Sequence, residues 1–504
     1  MKIMKNFIRI STVLIISVLI FTIISCGGAD DPINTDSGRG ADNATPGENN
    51  AAPVNGGNEP ENAPEIIYQD DLPEISMNGY VFRMFSRQLD PMTFRGIINP
   101  EEITGEMLND ALYERNRRIE ERFGMTFTEV VRDNSDAVRN AIRAGSDDYD
   151  MVTTRIPAAF QYAHEGLLYS IEVLPHIDLS KPYWDQSLNP SLTIANKRYF
   201  AIGATNLVTY DFTDCLLFNK KLFTDLGLDY PYALVEDGKW TFDRFNEMAR
   251  AAVKDINGDG IFNADDSYGF VGPAKNILST FVISAGNLSI QKDPDDIPYF
   301  AIPGNEKYIS AFQKAFDIIY DDNVWFKTNT DENVDQVGMQ IFESGRSAFA
   351  YSTFFFVTQL RGMEADFGIL PFPKLDESQD RYYSRVSFTD LFTVPVTNTN
   401  LEYTSIIAEA LACESARSIL PVYYDVSLRT KISRDDDSQD MLDIIFNNRV
   451  IDMGDTIFAA QTRDSVFNVM LQRGDRDLVS RIERMENNVN RELDKIIEAF
   501  LAIN

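Results

Sequence analysis

Short apolar strands alternate with amphipathic helices in the first part of the chain, and this alternation limits the fold more than any other feature. The segments 80–85 and 125–131 have the pattern of strands, and 149–153 is a further apolar strand. The segment 107–123 carries apolar residues at helical spacing, and 136–144 is a second, shorter helix. Strands and helices in this order predict a parallel sheet with helices on its faces, so we expect an α/β fold.

A second series of strands and helices indicates a second lobe. It starts with the strand Cys215–Phe218 and continues to a helix at 309–320 and a strand at 347–351. About 440 residues follow position 65, more than one hydrophobic core usually holds. We expect a first lobe at 66–212, a second lobe at 213–385, a return to the first lobe or hinge at 386–430, and C-terminal helices packing on the lobes at 431–504.

The charge balance excludes some classes of partner. The chain has 77 acidic and 46 basic residues, which gives a formal net charge of -31. Such a surface repels phosphate backbones and anionic lipid, so we expect no nucleic acid partner. Cys215 and Cys413 lie in apolar contexts, which favours buried thiols over a disulfide.

The N-terminus has the organisation of a secretory signal. Lys2, Lys5 and Arg9 precede an apolar run at 10–24, and Cys26 follows after one serine. A basic start, a short apolar run and a small residue at the cut describe a signal peptide. The run is shorter than the roughly 20 residues that span a bilayer as a helix.

The tetrad Ile23–Cys26 resembles the lipobox of bacterial lipoproteins. The resemblance implies that residues 1–25 are removed and that Cys26 carries lipid, which would anchor the protein at the extracytoplasmic face of the cell membrane. The alternative is an ordinary signal anchor with an incidental cysteine. Residues 26–65 are rich in Gly, Asn, Ala and Pro, a composition typical of a disordered linker.

Three stretches, together with a run of helices at 410–445, carry a pattern that resembles a known family. The stretches are DYDMVTTRIPAAFQYAHEGLLYSIE (148–172), DCLLFNKKLFTDLGLDYPYALVEDGKWTFDRFNEMARAA (214–252) and FESGRSAFAYSTFFFVTQLRGMEADFGILPFPK (342–374). Their order and spacing resemble the carbohydrate-binding group of extracellular solute-binding proteins, which serve ATP-binding-cassette (ABC) importers. The resemblance implies a two-lobed periplasmic-binding-protein-like α/β fold, with hinge strands and a ligand cleft between the lobes.

The resemblance also implies a function. We expect a lipid-anchored, monomeric protein that captures a carbohydrate, favouring an oligosaccharide, and delivers it to the permease subunits of an importer without doing chemistry itself. One alternative is a surface glycoside hydrolase with a carboxylate pair, although 77 acidic residues make an incidental pair easy to find. Another is a calcium-dependent scaffold or adhesion module.

Polar residues at the ends of predicted strands are the first ligand-binding candidates. Thr154 and Arg155 end one strand, and Ser86 and Arg87 follow another. Ligands of open α/β sheets bind beyond the carboxyl ends of strands, and an arginine offers a fork of hydrogen-bond donors there. The alternative for each arginine is an exposed strand end without a ligand.

Residues near the second lobe complete the candidate set. Tyr210 and Asp211 precede the strand at 215, as hinge or cleft residues would. Phe354 and Phe355 lie in a turn that, in the family resembled, supplies an aromatic plate for a sugar ring. A sugar has an apolar C–H face that a flat aromatic surface suits. The alternative is ordinary core, which we favour for Phe349.

An acidic loop at 255–266 has the spacing of an EF-hand calcium site. Gly260 holds the sixth place, where the loop must bend. The candidate ligands are Asp255, Asn257, Asp259, the carbonyl of Ile261, and Asp266. Asp266 replaces the usual bidentate glutamate, as in the dockerin form of the loop. The loop predicts either a structural calcium site or a turn without metal, and we expect no other cofactor.

Overall fold

The computed structural model describes residues 68–88, 97–327, 334–357, 360, 363, 366–425 and 437–502. The predicted signal sequence, the lipidation site Cys26 and the linker lie outside these residues. None of the described helices is both long enough and apolar enough to cross a bilayer.

The secondary structure alternates between strands and helices along the described chain. The strands are β1 (Tyr80–Arg87), β2 (Met125–Arg132), β3 (Met151–Arg155), β4 (Asp214–Asn219), β5 (Tyr268–Val271), β6 (Ile290–Lys292), β7 (Pro298–Phe300), β8 (Ser347–Thr353), β9 (Phe367–Leu370), β10 (Ser384–Arg385), β11 (Asp390–Thr393) and β12 (Arg449–Val450). The helices are α1 (Met107–Phe123), α2 (Ser135–Arg143), α3 (Ile156–His164), α4 (Leu207–Asp211), α5 (Lys220–Leu226), α6 (Tyr232–Glu236), α7 (Phe242–Ala251), α8 (Ala274–Ser284), α9 (Glu306–Tyr320), α10 (Val334–Glu343), α11 (Phe354–Val357), α12 (Leu401–Ser418), α13 (Leu420–Tyr423), α14 (Asp437–Asn447), α15 (Met453–Thr456), α16 (Asn468–Arg473) and α17 (Leu478–Ala502). A π-helical segment spans Ala460–Phe467, and a 3₁₀ turn spans Asn189–Leu192.

The first lobe is built on a four-stranded sheet with the order β11-β3-β1-β2. Strand β1 pairs in parallel with β2 and β3, as the alternation of strands and helices predicted. Strand β11 pairs with β3 in the antiparallel direction and comes from the part of the chain that returns after the second lobe. The prediction of an α/β fold is therefore confirmed.

Helix α1 shows how the sequence sets the bounds of an element. The carboxylate of Glu106 accepts a hydrogen bond from the backbone N–H of Asn109, which caps the first turn. Gly124 ends the helix with a left-handed φ of 61°, a conformation that glycine adopts without strain. The buried apolar stripe of the helix consists of Leu108, Leu112, Ile119 and Phe123.

The second lobe is built on a mixed sheet with the order β5-β8-β4-β9. Strand β4 (DCLLFN) is buried along its whole length, as expected for a central strand that is covered on both faces. Cys215 on this strand and Cys413 in α12 are both buried free thiols, which confirms the prediction from their contexts.

Two of the segments that carry the chain between the lobes run side by side. Thr213 and Val386 form an antiparallel bridge, and the N–H of Ser387 donates to the carbonyl of Phe212 at 3.0 Å. Strand β10, at the start of the returning segment, pairs in parallel with β12. We refer to residues 212–214 and 384–390 as the crossing segments.

The crossing segments meet each sheet at the edge where its parallel strands end. Strand β4 begins at Asp214, which is opposite Thr353 at the carboxyl end of β8. Strand β11 begins at Asp390, which is opposite Arg155 at the carboxyl end of β3. The carboxyl ends of the strands in both lobes therefore lie next to the crossing segments, where ligands of open α/β sheets bind.

Candidate functional site

A polar pocket of about 400 Å³ lies at the carboxyl edge of the first sheet. It forms where β2 leads into α2 and β3 leads into α3. Asn134 caps α2 by accepting a hydrogen bond from the N–H of Ala137 at 3.0 Å, and Pro157 occupies the first turn of α3. The pocket is lined by Asp133, Asn134, Ser135, Asp136, Arg155, Pro157, Ala158, Gln161 and Tyr162.

The predicted residues Thr154 and Arg155 have different positions at this pocket. Arg155 is exposed and lines it, so its guanidinium is available to a ligand. Thr154 is fully buried, and its hydroxyl lies 3.0 Å from that of Ser135. Thr154 therefore holds a lining residue in place and does not itself line the pocket.

The other predicted pair, Ser86 and Arg87, is buried at the end of β1. The Nε of Arg87 donates to the Oδ1 of Asp390 at 3.0 Å, which ties β1 to the start of β11. Burial raises the pKa of Asp390, and the charges of Arg87 and Arg155 oppose that shift. The guanidinium of Arg87 also lies 4.7 Å from the ring centre of Phe388.

Four phenylalanine rings continue from Arg87 across the crossing segments to the second lobe. Phe388 and Phe212, on the two crossing segments, have ring centres 5.1 Å apart. Phe212 is nearly parallel to Phe355, with centres 5.9 Å apart, and Phe355 meets Phe356 edge to face at 5.2 Å. Phe356 is 45% exposed, Phe355 only 7%, and the other two are half-buried. We refer to these four residues as the aromatic floor.

Two predictions about the aromatic residues need correction. The segment after β8 is the short helix α11 and not a turn. Phe354, the first residue of α11, is fully buried with its ring centre 4.6 Å from that of Phe446. Phe354 therefore lies in the core and presents no face to a ligand, because α14 covers it.

Tyr210 and Asp211 lie in α4 immediately before the first crossing segment. The ring of Tyr210 packs against Tyr423 and Phe446, with centres 5.7 and 5.5 Å away. Asp211 is buried and accepts a hydrogen bond from the hydroxyl of Tyr423 at 2.9 Å. Both residues therefore attach the crossing segment to the C-terminal helices and do not line the pocket.

The matching edge of the second lobe is closed by a buried polar network. Asp214 accepts hydrogen bonds from Thr280, Tyr351 and Arg385, at 2.7, 2.8 and 2.9 Å. The Nε of Arg385 also donates to Asp455 at 2.6 Å. Burial raises the pKa of Asp214, and Arg385 opposes the shift. Arg385 therefore links both crossing segments to the body of the second lobe.

The acidic loop at 255–266 lies before β5, away from the aromatic floor. The carboxylate of Asp255 accepts hydrogen bonds from the N–H groups of Gly258 and Gly260, both at 2.7 Å. Asp266 is buried and accepts from the N–H of Ile256 at 2.9 Å. The oxygen donors suit calcium in kind. Within the described residues, however, no three or more Asp, Glu, His or Cys side chains converge as a metal-ion site.

Several residues at the site were absent from the sequence predictions. Asp133, Asn134 and Ser135 follow β2 just as Thr154 and Arg155 end β3, so the strand-end argument applied to both could have found them. Phe212 was directly next to the predicted hinge residues Tyr210 and Asp211. Phe388 carried no local signal, because only the pairing of the two crossing segments brings it to the site.

Comparisons with known proteins give matches only in structure. No protein-family model matches the chain, and no curated protein matches it. UspC of M. tuberculosis is similar with a TM-score of 0.56 at 15% identity, covering 82% of this chain and 99% of that chain. The substrate-binding protein Lmo0181 of Listeria monocytogenes, in complex with cycloalternan, has a TM-score of 0.54 at 14% identity, covering 84% of this chain and 100% of that chain.

The maltose/maltodextrin-binding domain MalE of Bdellovibrio bacteriovorus, bound to maltotriose, is similar as well. Its TM-score is 0.52 at 16% identity, covering 82% of this chain and 100% of that chain. Similarities at this level of identity establish the fold. The chain therefore has the two-lobed fold of ABC-transporter substrate-binding proteins, and the prediction of that fold is confirmed.

Proposed function

We propose that this protein is an extracytoplasmic solute-binding protein that captures an oligosaccharide and delivers it to an ABC importer without chemical change. The observation that carries the proposal is the aromatic floor, which runs along the crossing segments beside the polar pocket at Arg155. Aromatic rings suit the C–H faces of sugars, and the polar pocket suits their hydroxyl groups. Several proteins of this fold have sugars bound, cycloalternan and maltotriose among them.

The two lobes offer unlike groups to such a ligand. The first lobe contributes the exposed Arg155 and the pocket around it, while the second contributes the exposed ring of Phe356. A ligand that touches both gains its full set of contacts only when the lobes approach each other. Binding would therefore favour the closed arrangement, because it stabilises the state in which both sets of contacts exist.

The test is a calorimetric and thermal-shift screen against oligosaccharides, with free amino acids and peptides as comparison ligands. A ligand present at 100 times its Kd raises stability by about 2.7 kcal/mol. Reducing-end analysis of the same mixtures distinguishes binding from hydrolysis. Stabilisation by oligosaccharides with no cleavage supports the proposal. Stabilisation only by peptides, or the release of shorter sugars, contradicts it.

The variant Phe356→Ala tests the aromatic floor. We expect at least a fivefold loss of sugar affinity, because stacking of this kind contributes on the order of 1 kcal/mol. Its melting temperature should stay near that of the parent, because the ring is 45% exposed. The matched control is Tyr230→Ala, between α5 and α6, an aromatic ring that is 39% exposed. If both variants bind the sugar with equal affinity, Phe356 is not part of the binding site.

The lipid anchor is part of the same proposal and rests on the sequence around Cys26. A protein tethered outside the membrane at Cys26 would hold its folded part at a distance set by the linker at 26–65. We expect Cys26→Ser to abolish incorporation of radiolabelled palmitate and to release the protein from the membrane fraction. If the variant is labelled and fractionates as the parent does, Cys26 is not the anchor.

A further inference from the structure

The hairpin formed by β6 and β7 belongs to the second lobe but is bonded to the first. Its base is held by Asp452, whose carboxylate accepts from the N–H groups of Ser289 and Ile290 at 2.8 and 3.2 Å. At its other end, the Nζ of Lys292 donates to the carbonyl of Pro190 at 2.8 Å and to the hydroxyl of Thr193 at 2.9 Å. Pro190 and Thr193 lie in a turn of the first lobe that spans residues 189–197.

Asp296 forms the second half of this contact. Its carboxylate accepts from the hydroxyl of Thr193 and from the N–H of Asn196, both at 2.9 Å. Its backbone carbonyl accepts from the N–H of Ala195 at 3.0 Å. Ala195 and Asn196 have left-handed φ angles of 51° and 59°, which a non-glycine residue such as alanine rarely adopts. The bonds from Asp296 therefore hold both central residues of this two-residue turn.

The charges in this contact are largely removed from solvent. Lys292 and Asp296 lie 2.9 Å apart, and their side chains are only 19% and 17% exposed. Burial lowers the pKa of Lys292, and Asp296 opposes the shift. A pair this buried is tied to its partners more firmly than a solvent-exposed ion pair, which contributes little.

Helix α17 makes a second connection to the same turn. Just before its start, Arg476 pairs with Asp317 of α9 in the second lobe at 3.0 Å. Near its end, Phe500 is fully buried among rings of the first lobe, with its centre 5.2 Å from that of Tyr199. The Nζ of Lys197 also donates to the carbonyl of Leu501 at 3.3 Å. The helix therefore reaches from one lobe to the other.

We infer that the β6–β7 hairpin and α17 form a second junction between the lobes, which sets the angle between the lobes in the absence of a ligand. The junction lies beside the crossing segments, because Asp452 follows β12, the strand paired with β10. A rotation about the crossing segments that separates the hairpin from the turn at 189–197 would break these hydrogen bonds. Lys292 is then a positioning residue for the lobes. The inference rests on the proposed function only where it gives the opening a role in ligand capture.

The test measures the distance between the lobes without any ligand. Spin labels are placed at Ile103→Cys and Lys275→Cys, two exposed positions near the cleft edge of each lobe, in a full chain that carries Cys26→Ser. Cys215 and Cys413 are buried and stay unlabelled in the folded protein. Pulsed electron paramagnetic resonance then gives the distance distribution for the parent, for Lys292→Met, and for the control Lys221→Met, whose ion pair with Asp225 lies within the second lobe.

We expect Lys292→Met to show a shifted and broader distance distribution than the parent, because the angle between the lobes is then less restricted, and Lys221→Met to match the parent. Thr193→Ala removes the hydroxyl part of the same contact from the first lobe, while the backbone bonds remain, so it should change the distribution in the same direction but by a smaller amount. If Lys292→Met fails to fold, Thr193→Ala still tests the contact between the hairpin and the turn. Distributions identical to the parent in the folded variants would overturn the inference. Because no sugar is present, a failure of the proposed function in the ligand screen would leave this result unchanged.

Discussion

The carboxyl edges of the two sheets are built on similar charge pairs but are finished in different ways. Each has a buried arginine paired with the aspartate at the end of a crossing segment, Arg87 with Asp390 and Arg385 with Asp214. The first edge then opens into a polar pocket with an exposed arginine, Arg155. The second edge is closed by its own network, and it presents the exposed ring of Phe356.

This difference indicates which kind of contact each lobe can offer to a ligand. An open edge with a free guanidinium can form directional hydrogen bonds with a ligand in the unclosed state. A closed edge with an exposed ring offers surface contact, which gains most when water is excluded. Under the proposed function, the first lobe would select the ligand by hydrogen bonding, and the second lobe would add apolar contact when the cleft closes.

The largest test of this comparison is the loss of Arg385. Arg385→Met leaves Asp214 buried without its counter-charge and leaves Asp455 only its longer contact with Arg463 at 3.8 Å, and breaking a buried pair in this way costs about 3–5 kcal/mol. Arg87→Met should cost less, on the order of 1–3 kcal/mol, because Arg87 pairs with one carboxylate where Arg385 pairs with two, and because the charge of Arg155 also acts on Asp390. Urea unfolding followed by circular dichroism measures both. Equal losses would mean that the two edges are held equally firmly.

A smaller effect on affinity should follow from the loss of Arg155. We expect Arg155→Ala to weaken sugar binding at least tenfold, because a hydrogen bond to a charged group contributes about 1.5–3 kcal/mol. The melting temperature should stay unchanged, since Arg155 is exposed. The control is Arg143→Ala, an exposed arginine at the end of α2. If calorimetry gives the same Kd for both variants, Arg155 does not contribute to sugar binding, and the first lobe does not select the ligand through it.

Local signals were enough to predict the first helices and strands and the parallel core of the first sheet. The apolar period and Gly124 predicted α1 at its observed bounds, Met107–Phe123, and the strand-helix alternation predicted the parallel core of the first sheet. The antiparallel strand β11 was not predicted, because it pairs with β3 from more than 200 residues away. Pairing at such a separation leaves no period or cap in the local sequence.

The site was harder to predict, because the role of each aromatic residue depends on distant neighbours. Phe354, Phe355 and Phe356 are identical in type and adjacent in sequence. The first is covered by Phe446 of α14, the second lies beside Phe212, and only the third is exposed. Nothing within the run of three phenylalanines distinguishes these roles. The ends of strands were more informative, since Arg155 lines the pocket as its position after β3 suggested.

The smallest expected effect concerns the loop at 255–266. It tests whether this loop has a structural role only, in contrast to the proposed ligand-binding role of the carboxyl edge of the first sheet. The loop precedes β5, so it lies at the edge of the second sheet opposite the cleft.

If the loop binds calcium, chelation should destabilise the protein by about 1 kcal/mol relative to calcium at roughly five times its Kd. Asp259→Ala should abolish this difference, and the control Asp265→Ala, an adjacent exposed acid outside the ligand set, should retain it. Sugar affinity should be the same with calcium and with chelator, because the loop touches none of the four rings of the aromatic floor. Melting curves that coincide with and without chelator in the parent would show that the loop is a turn held by its own hydrogen bonds, and a calcium-dependent Kd would show that the second lobe takes part in selection.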